Sequence, residues 1–164
     1  MEYRIENIKG RTLAGMNRQM SFAEDQTAIL WRSFMPRRKE IVNAIGSDLY
    51  SLQVYPEGFF DEFSPLETFT KWAAVEIPER NKVPDGMETM QLPAGLYAVF
   101  TYRGPSGKGA EAFEYIFTKW LPDSGYQLDD RPYFELLGEK YKNNDPESEE
   151  EIFIPVRPAG TSTF

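Results

Sequence analysis

Two side chains of the right type and spacing for site chemistry, Tyr133 and Glu135, lie in the run Arg131-Pro132-Tyr133-Phe134-Glu135-Leu136-Leu137. Extended backbone puts alternate side chains on one face, so Tyr133, Glu135 and Leu137 point one way and Phe134 and Leu136 the other. Both faces are largely apolar, the pattern of a strand covered on both sides. An ionised carboxylate stripped of water there costs several kcal/mol or more unless something pairs with it. No basic residue follows at the next same-face position, although Arg131 precedes Tyr133 and could fold back. Two readings stay open: a pocket carboxylate awaiting a cationic or proton-exchanging ligand, or a glutamate at a sheet edge reaching solvent or Arg131.

The rest of the composition narrows the chemistry. The chain has no histidine and no cysteine, which removes thiolate and Ser-His nucleophile pairs and the usual transition-metal sites. Any catalysis would run on carboxylates, tyrosines or lysines, and no metal or cofactor is expected. The formal net charge of -8 favours cationic partners and repels phosphate backbones, so direct nucleic-acid binding is not expected. The amino terminus is charged and alternating, without the apolar core of a signal peptide, and no run approaches the ~18 apolar residues of a membrane span. No membrane association is therefore expected, and the cytoplasm is the expected compartment. With 164 residues, 41% hydrophobic and 15% aromatic, the chain suits one globular domain spanning 1–164. The acidic stretch Asn143 to Glu151 lacks an EF-hand spacing and reads as a solvated loop.

These elements must position the carboxylate. Tyr3 to Ile8 and Arg11 to Met20 read as strands, with Gly15 marking a bulge. Ser21-Phe22-Ala23-Glu24 has the form of a capping box and predicts a helix start there. Leu30, Trp31, Phe34 and Met35 share one side of that helix, which Pro36 should interrupt. Leu49 to Tyr55 reads as a strand with Tyr55, Gln53 and Ser51 on its more polar face. Gly58 to Pro65 is a loop whose three phenylalanines should hold it against the body. Phe69 to Ile77 is a long strand with Trp72, Ala74 and Glu76 on one face, where alanine leaves space beside the indole. Arg80 to Gly86 reads as a linker.

Beyond the linker, Leu96 to Arg103 is a strand, Gly104 to Gly107 a turn and Gly109 to Trp120 a helix. Phe113, Ile116, Phe117, Trp120 and Leu121 share one face of that helix. Strands around Tyr126 to Leu137 and Ile152 to Val156 follow, then a loose tail from Pro158 to Phe164. Each half reads strand, helix, strand, strand. Trp31 to Pro36 can be laid on Phe117 to Pro122, and Val75 to Pro78 on Ile152 to Pro155. The expected architecture is α+β, a duplicated strand-helix-strand-strand module with pseudo-twofold symmetry, repeats at about 1–80 and 87–157, and a ligand cleft along the axis.

Gly95-Leu96-Tyr97-Ala98-Val99-Phe100, Trp120-Leu121-Pro122-Asp123-Ser124-Gly125-Tyr126, Tyr133-Phe134-Glu135 and Glu151-Ile152-Phe153-Ile154-Pro155-Val156 together resemble the GyrI-like small-molecule-binding domain, also used as the effector-binding part of AraC- and MerR-type regulators. The resemblance implies antiparallel sheets around a central cleft for bulky, often cationic aromatic compounds, with Glu135 in the place of the ligand-facing acid. With no room before Tyr3 for a helix-turn-helix, the chain resembles the stand-alone members. Candidate aromatic walls are Tyr133, Trp72, Trp120, Tyr55 and Tyr97. Some members are hydrolases that open the cyclopropane ring of DNA alkylators through a Tyr-x-Glu pair, and Tyr133 and Glu135 fit that spacing. On one strand face, Glu135 could activate water while the Tyr133 phenol holds the substrate or leaving oxygen. Tyr102 stands where many relatives carry histidine, so no role tied to an imidazole transfers. A third implied role is interaction with DNA gyrase, which an acidic surface would suit.

Overall fold

Strand alternation becomes three-dimensional through register. A computed structural model describes residues 1–79, 82–105, 109–143 and 145–160. Its strands are β1 (Tyr3–Ile8), β2 (Arg11–Met20), β3 (Leu49–Val54), β4 (Phe69–Ile77), β5 (Glu88–Leu92), β6 (Gly95–Arg103), β7 (Tyr126–Leu128), β8 (Tyr133–Leu137) and β9 (Glu149–Pro158). They pair antiparallel in the order β1-β6-β9-β8-β3-β4-β2-β5, with β7 added beside β9. The helices are α1 (Thr27–Phe34), which tightens into a 3-10 segment over Met35–Glu40, and α2 (Gly109–Tyr115), which passes through a π-type segment at Ile116–Trp120 into α3 (Leu121–Asp123). The class is α+β: one large antiparallel sheet with two helical segments.

One cross-strand row decides where the carboxylate points. Met16 faces Ala73, Ala73 faces Ser51, Ser51 faces Glu135, Glu135 faces Ile152, Ile152 faces Phe100 and Phe100 faces Tyr3. A slip of one residue would send Glu135 to the opposite face, so the apolar pattern of the neighbouring strands locks its orientation. On that face Ala73, Val75 and Ile77 pack with Leu30 and Phe34 of α1. Phe100, Ile152 and Ile154 pack with Ala112, Ile116 and Trp120 of the second helical segment. The opposite face gathers Leu13, Tyr50, Leu52, Trp72, Tyr97, Phe134 and Phe153 into one buried cluster.

Several local expectations shift for physical reasons. The Ser21 hydroxyl does accept the Glu24 backbone N–H at 3.1 Å, but this closes only a turn. Helix α1 begins later, at Thr27, whose N–H and hydroxyl donate to the Asp25 carboxylate at 2.9 and 2.6 Å. Pro36 converts the helix to 3-10 rather than stopping it, because a missing N–H is tolerated in the first turn of a new segment. Gly15 is no bulge, since pairing runs unbroken through Gly15 and Ala74. A Cβ there would collide with the β4 backbone at the Ala73 carbonyl, so the glycine permits close strand approach.

The stretch from Tyr126 to Leu137 is two strands rather than one. Asp129 to Pro132 lie outside the strands, and β7 pairs with β9 around Arg157 while β8 pairs with β9 around Ile152 and with β3 on its other side. Strand β5, over Glu88–Leu92, follows the linker and pairs with β2. Arg80 and Asn81 of the expected linker, Ser106 and Gly107 of the expected turn, Asn144 of the acidic stretch and residues 161–164 of the tail lie outside the described residues. Among the described residues no helix is long and apolar enough to cross a membrane.

Candidate functional site: an aromatic cleft floored by Glu135

Between the two helical segments the sheet face carrying Glu135 is left open as a cleft of about 710 Å³. Its floor is built from three adjacent strands: Phe69 and Lys71 on β4, Gln53 on β3, and Tyr133 and Glu135 on β8. Phe113 and Phe117 of the second helical segment form one wall, and Tyr55 and Phe60 form another. Phe22 and Phe63, both exposed, stand at the rim. The rings interlock: Tyr55 meets Tyr133 edge-on at 5.1 Å and Phe60 at 4.9 Å, and Phe60 lies 5.7 Å from both Tyr133 and Phe117. Such tilted and edge-on contacts hold aromatic walls in place without filling the space between them. The volume lies in the range of small-molecule sites.

The polar groups at the floor are few. Gln53, buried, donates its amide to Glu135 at 3.1 Å. Arg131, the basic neighbour that could have folded back, turns away instead. Its guanidinium donates to the Leu96 and Val156 carbonyls at 2.7 and 3.1 Å, pairs with Asp129 at 3.2 Å and lies 4.8 Å over the Tyr97 ring. Among the described residues no cation forms an ion pair with Glu135. The Tyr55 and Tyr133 phenols have no hydrogen-bond partner among the described residues. Burial pushes both well above the usual tyrosine range, with the Glu135 charge adding to Tyr55 and Asp130 to Tyr133. Both therefore keep their protons near neutrality and act as donors rather than bases. Glu150 of β9 shares this electrostatic environment. Burial, then the Glu135 charge, push its carboxyl up to about 7 against the pull of Lys71.

The six residues singled out from sequence divide evenly. Glu135, Tyr133 and Tyr55 line the cleft. Trp72, Tyr97 and Trp120 do not. Trp72 and Tyr97 project from the opposite face of the sheet into its buried cluster, and the Tyr97 hydroxyl donates to the Pro132 carbonyl at 2.7 Å. Trp120 faces its own strands, edge-on to Phe100 at 4.9 Å and stacked on Tyr126 at 6.3 Å. The residues that take their place are Phe60, Phe69, Phe113 and Phe117, together with Lys71 and Gln53. Their signals were present in sequence: the phenylalanine-rich loop, the apolar helix face, and the alternation that sets Lys71 opposite Trp72.

An antiparallel sheet with an aromatic cleft between its two helical segments is thus the frame of the site. The chain belongs to the GyrI-like small molecule binding domain family, which matches residues 1–157. It is 29% identical over 162 residues to the transcriptional regulator BrlR of Pseudomonas aeruginosa, covering 94% of this chain and 57% of that protein. It is 32% identical over 101 residues to a DNA gyrase inhibitor of Erwinia billingiae, covering 58% of this chain and 63% of the relative. The chain thus spans about three fifths of the length of these curated relatives. Among solved structures, SAV2435 bound to tetraphenylphosphonium superposes with a TM-score of 0.74 at 17% identity, over 96% of this chain and 94% of that one.

Proposed function

We propose that the protein binds bulky, cationic aromatic small molecules in this cleft, with Glu135 as the counter-charge. The observation that carries the reading is a carboxylate with no ion-pair partner among the described residues, at the floor of a ring-lined hollow. A docked delocalised cation would meet aromatic faces worth ~0.5 to 2 kcal/mol each. Burying about 250 Å² of its hydrocarbon at about 25 cal/mol per Å² adds about 6 kcal/mol. After the cost of immobilising the ligand, micromolar affinity follows without a tailored hydrogen-bond network. The tetraphenylphosphonium bound to SAV2435 is a compound of this kind.

The site also fits a duplicated domain. Read outward from the central β3·β8 pair, the strand order β3-β4-β2 on one side mirrors β8-β9-β6 on the other, each half contributing one helical segment. This order supports a single domain built of pseudo-repeats at about 1–80 and 87–157, with the cleft on their axis.

Calorimetric titration with tetraphenylphosphonium should give one site per chain and a micromolar Kd. Absence of binding by it, ethidium and rhodamine 6G at submillimolar concentration would refute the reading.

A second reading, hydrolysis of cyclopropane-bearing alkylators, is favoured by one observation: Tyr133 and Glu135 both line the cleft, and the Tyr133 phenol, held above the usual tyrosine range by burial, has no hydrogen-bond partner among the described residues. In that reading Glu135 takes the proton of an attacking water and Tyr133 donates to the developing oxyanion. Multiple turnovers that are lost in both Tyr133→Phe and Glu135→Gln would establish it. Stoichiometric protection of the alkylator would leave binding alone.

A further inference from the structure

Asp25, Lys71, Glu114 and Glu135 are the charged side chains that line the cleft, and Lys71 is the one for which a simple cation has no use. Lys71 lies on β4 between Phe69 and Ala73, lines the cleft and is only 7% exposed. Among the described residues its ammonium has no hydrogen bond and closes no ion pair. The cation–π contacts of the described residues belong to Arg11 and Arg131. Glu150 feels its field without meeting it in a salt bridge. The Lys71 stem is packed into the floor while its ammonium reaches the open cleft, so it takes its hydrogen bonds from water there or from whatever displaces that water, and losing them without replacement is costly.

Its placement relative to Glu135 is set by the sheet. Lys71 stands opposite Gln53, and Gln53 stands opposite Tyr133. The same Gln53 amide donates to Glu135, so one neutral side chain separates the ammonium from the carboxylate on a continuous floor. Arg18 is the neighbour of Lys71 on its other side, across from it on β2. Arg18 is exposed and stands outside the cleft lining, so Lys71 is the cationic side chain of the lining, which also holds the carboxylates of Asp25, Glu114 and Glu135.

We propose that Lys71 makes the cleft select amphoteric aromatic ligands, which carry a carboxylate or other oxyanion beside a delocalised cation, over purely cationic ones. The inference rests on the reading of the cleft as the site for aromatic cations and names the ligand class within it. A cation alone occupies Glu135 and leaves the ammonium buried beneath the ligand with its water expelled. A ligand with both charges satisfies both groups, and an ammonium-carboxylate contact is among the stronger hydrogen bonds a site can make.

Two dyes that differ at one group test this. Rhodamine 110 has a free carboxylate, and rhodamine 123 is its methyl ester. By fluorescence anisotropy the parent should bind rhodamine 110 about fivefold to tenfold more tightly than rhodamine 123. Lys71→Met should abolish that preference, bringing the ratio of the two affinities to about one, and Lys71→Arg should retain it. Lys71→Gln serves as a second neutral variant, and the ratio for the parent stands without either. Equal affinities of the parent for the two dyes, or a preference that survives both neutral variants, would overturn the role of Lys71 alone. Failure of the parent to bind either dye would overturn it together with the reading of the cleft.

Discussion

Glu135→Gln should weaken tetraphenylphosphonium binding by about 30- to 100-fold near neutral pH. A unit charge about 5 Å from a carboxylate gains about 3 kcal/mol at an effective dielectric of about 20. Partial exposure of Glu135 trims this to about 2 to 3 kcal/mol, since water screens part of the field. The substitution keeps the shape of the floor and a hydrogen-bonding partner for Gln53, so the loss isolates the charge. A neutral polycyclic ligand should bind parent and variant alike, because the walls of Tyr55, Phe60, Phe113 and Phe117 are untouched. Calorimetry on the two proteins with both ligands measures the difference. A change below about threefold for the cation would mean that the attraction lies elsewhere.

The second large effect is on stability. The Glu150 carboxyl sits at about 7 in the folded protein against an ordinary value of 4.5, through burial and then the Glu135 charge. A folded state that holds a proton the unfolded chain has released is stable at low pH and loses that advantage as pH rises from the lower value through the upper one. The loss from this group amounts to about 3 kcal/mol above about pH 7. Glu150→Gln cannot ionise and escapes it. The variant should therefore melt about 6 to 9 °C higher than the parent at about pH 8 and match it at about pH 4. Equal melting temperatures at the alkaline end would show that Glu150 carries no such burden. A cation docked beside Glu135 also stabilises the ionised Glu150, so the ligand-induced rise in melting temperature of the parent should grow with pH across the same window.

The carboxylate and its strand partner were legible because alternation is a local property. Tyr133 and Glu135 had to share a face, and the apolar residues around them marked that strand as covered. Which other strand faces the same space is not local. It depends on β8 pairing with β3, nearly half the chain away, and β3 with β4. Along Phe69 to Ile77 the alternation separated Lys71 from Trp72 but did not say which of the two would meet the cleft. The register turns the lysine toward the cleft and the indole into the buried cluster of the opposite face. Trp120 misled differently: the helix face holding Phe113, Phe117 and Trp120 is real, but only its first two rings reach the cleft while Trp120 closes on Phe100 and Tyr126. The phenylalanine loop was expected to lie against the body, and it does so as a wall, with Phe60 against Tyr133 and Phe117. Helix starts and strand breaks moved by a few residues where a side chain such as Asp25, or the missing N–H of Pro132, competed with the periodic pattern.

A comparison of tetraphenylphosphonium with tetraphenylborate tests the role of negative charge in this cleft most directly, because the two ions share size, shape and ring surface and differ in sign. Titrated under the same conditions, the phosphonium should bind at least about tenfold more tightly than the borate, and Glu135→Gln should shrink the gap. Equal affinities, or tighter binding of the borate, would contradict a cleft whose floor recognises cations through Glu135.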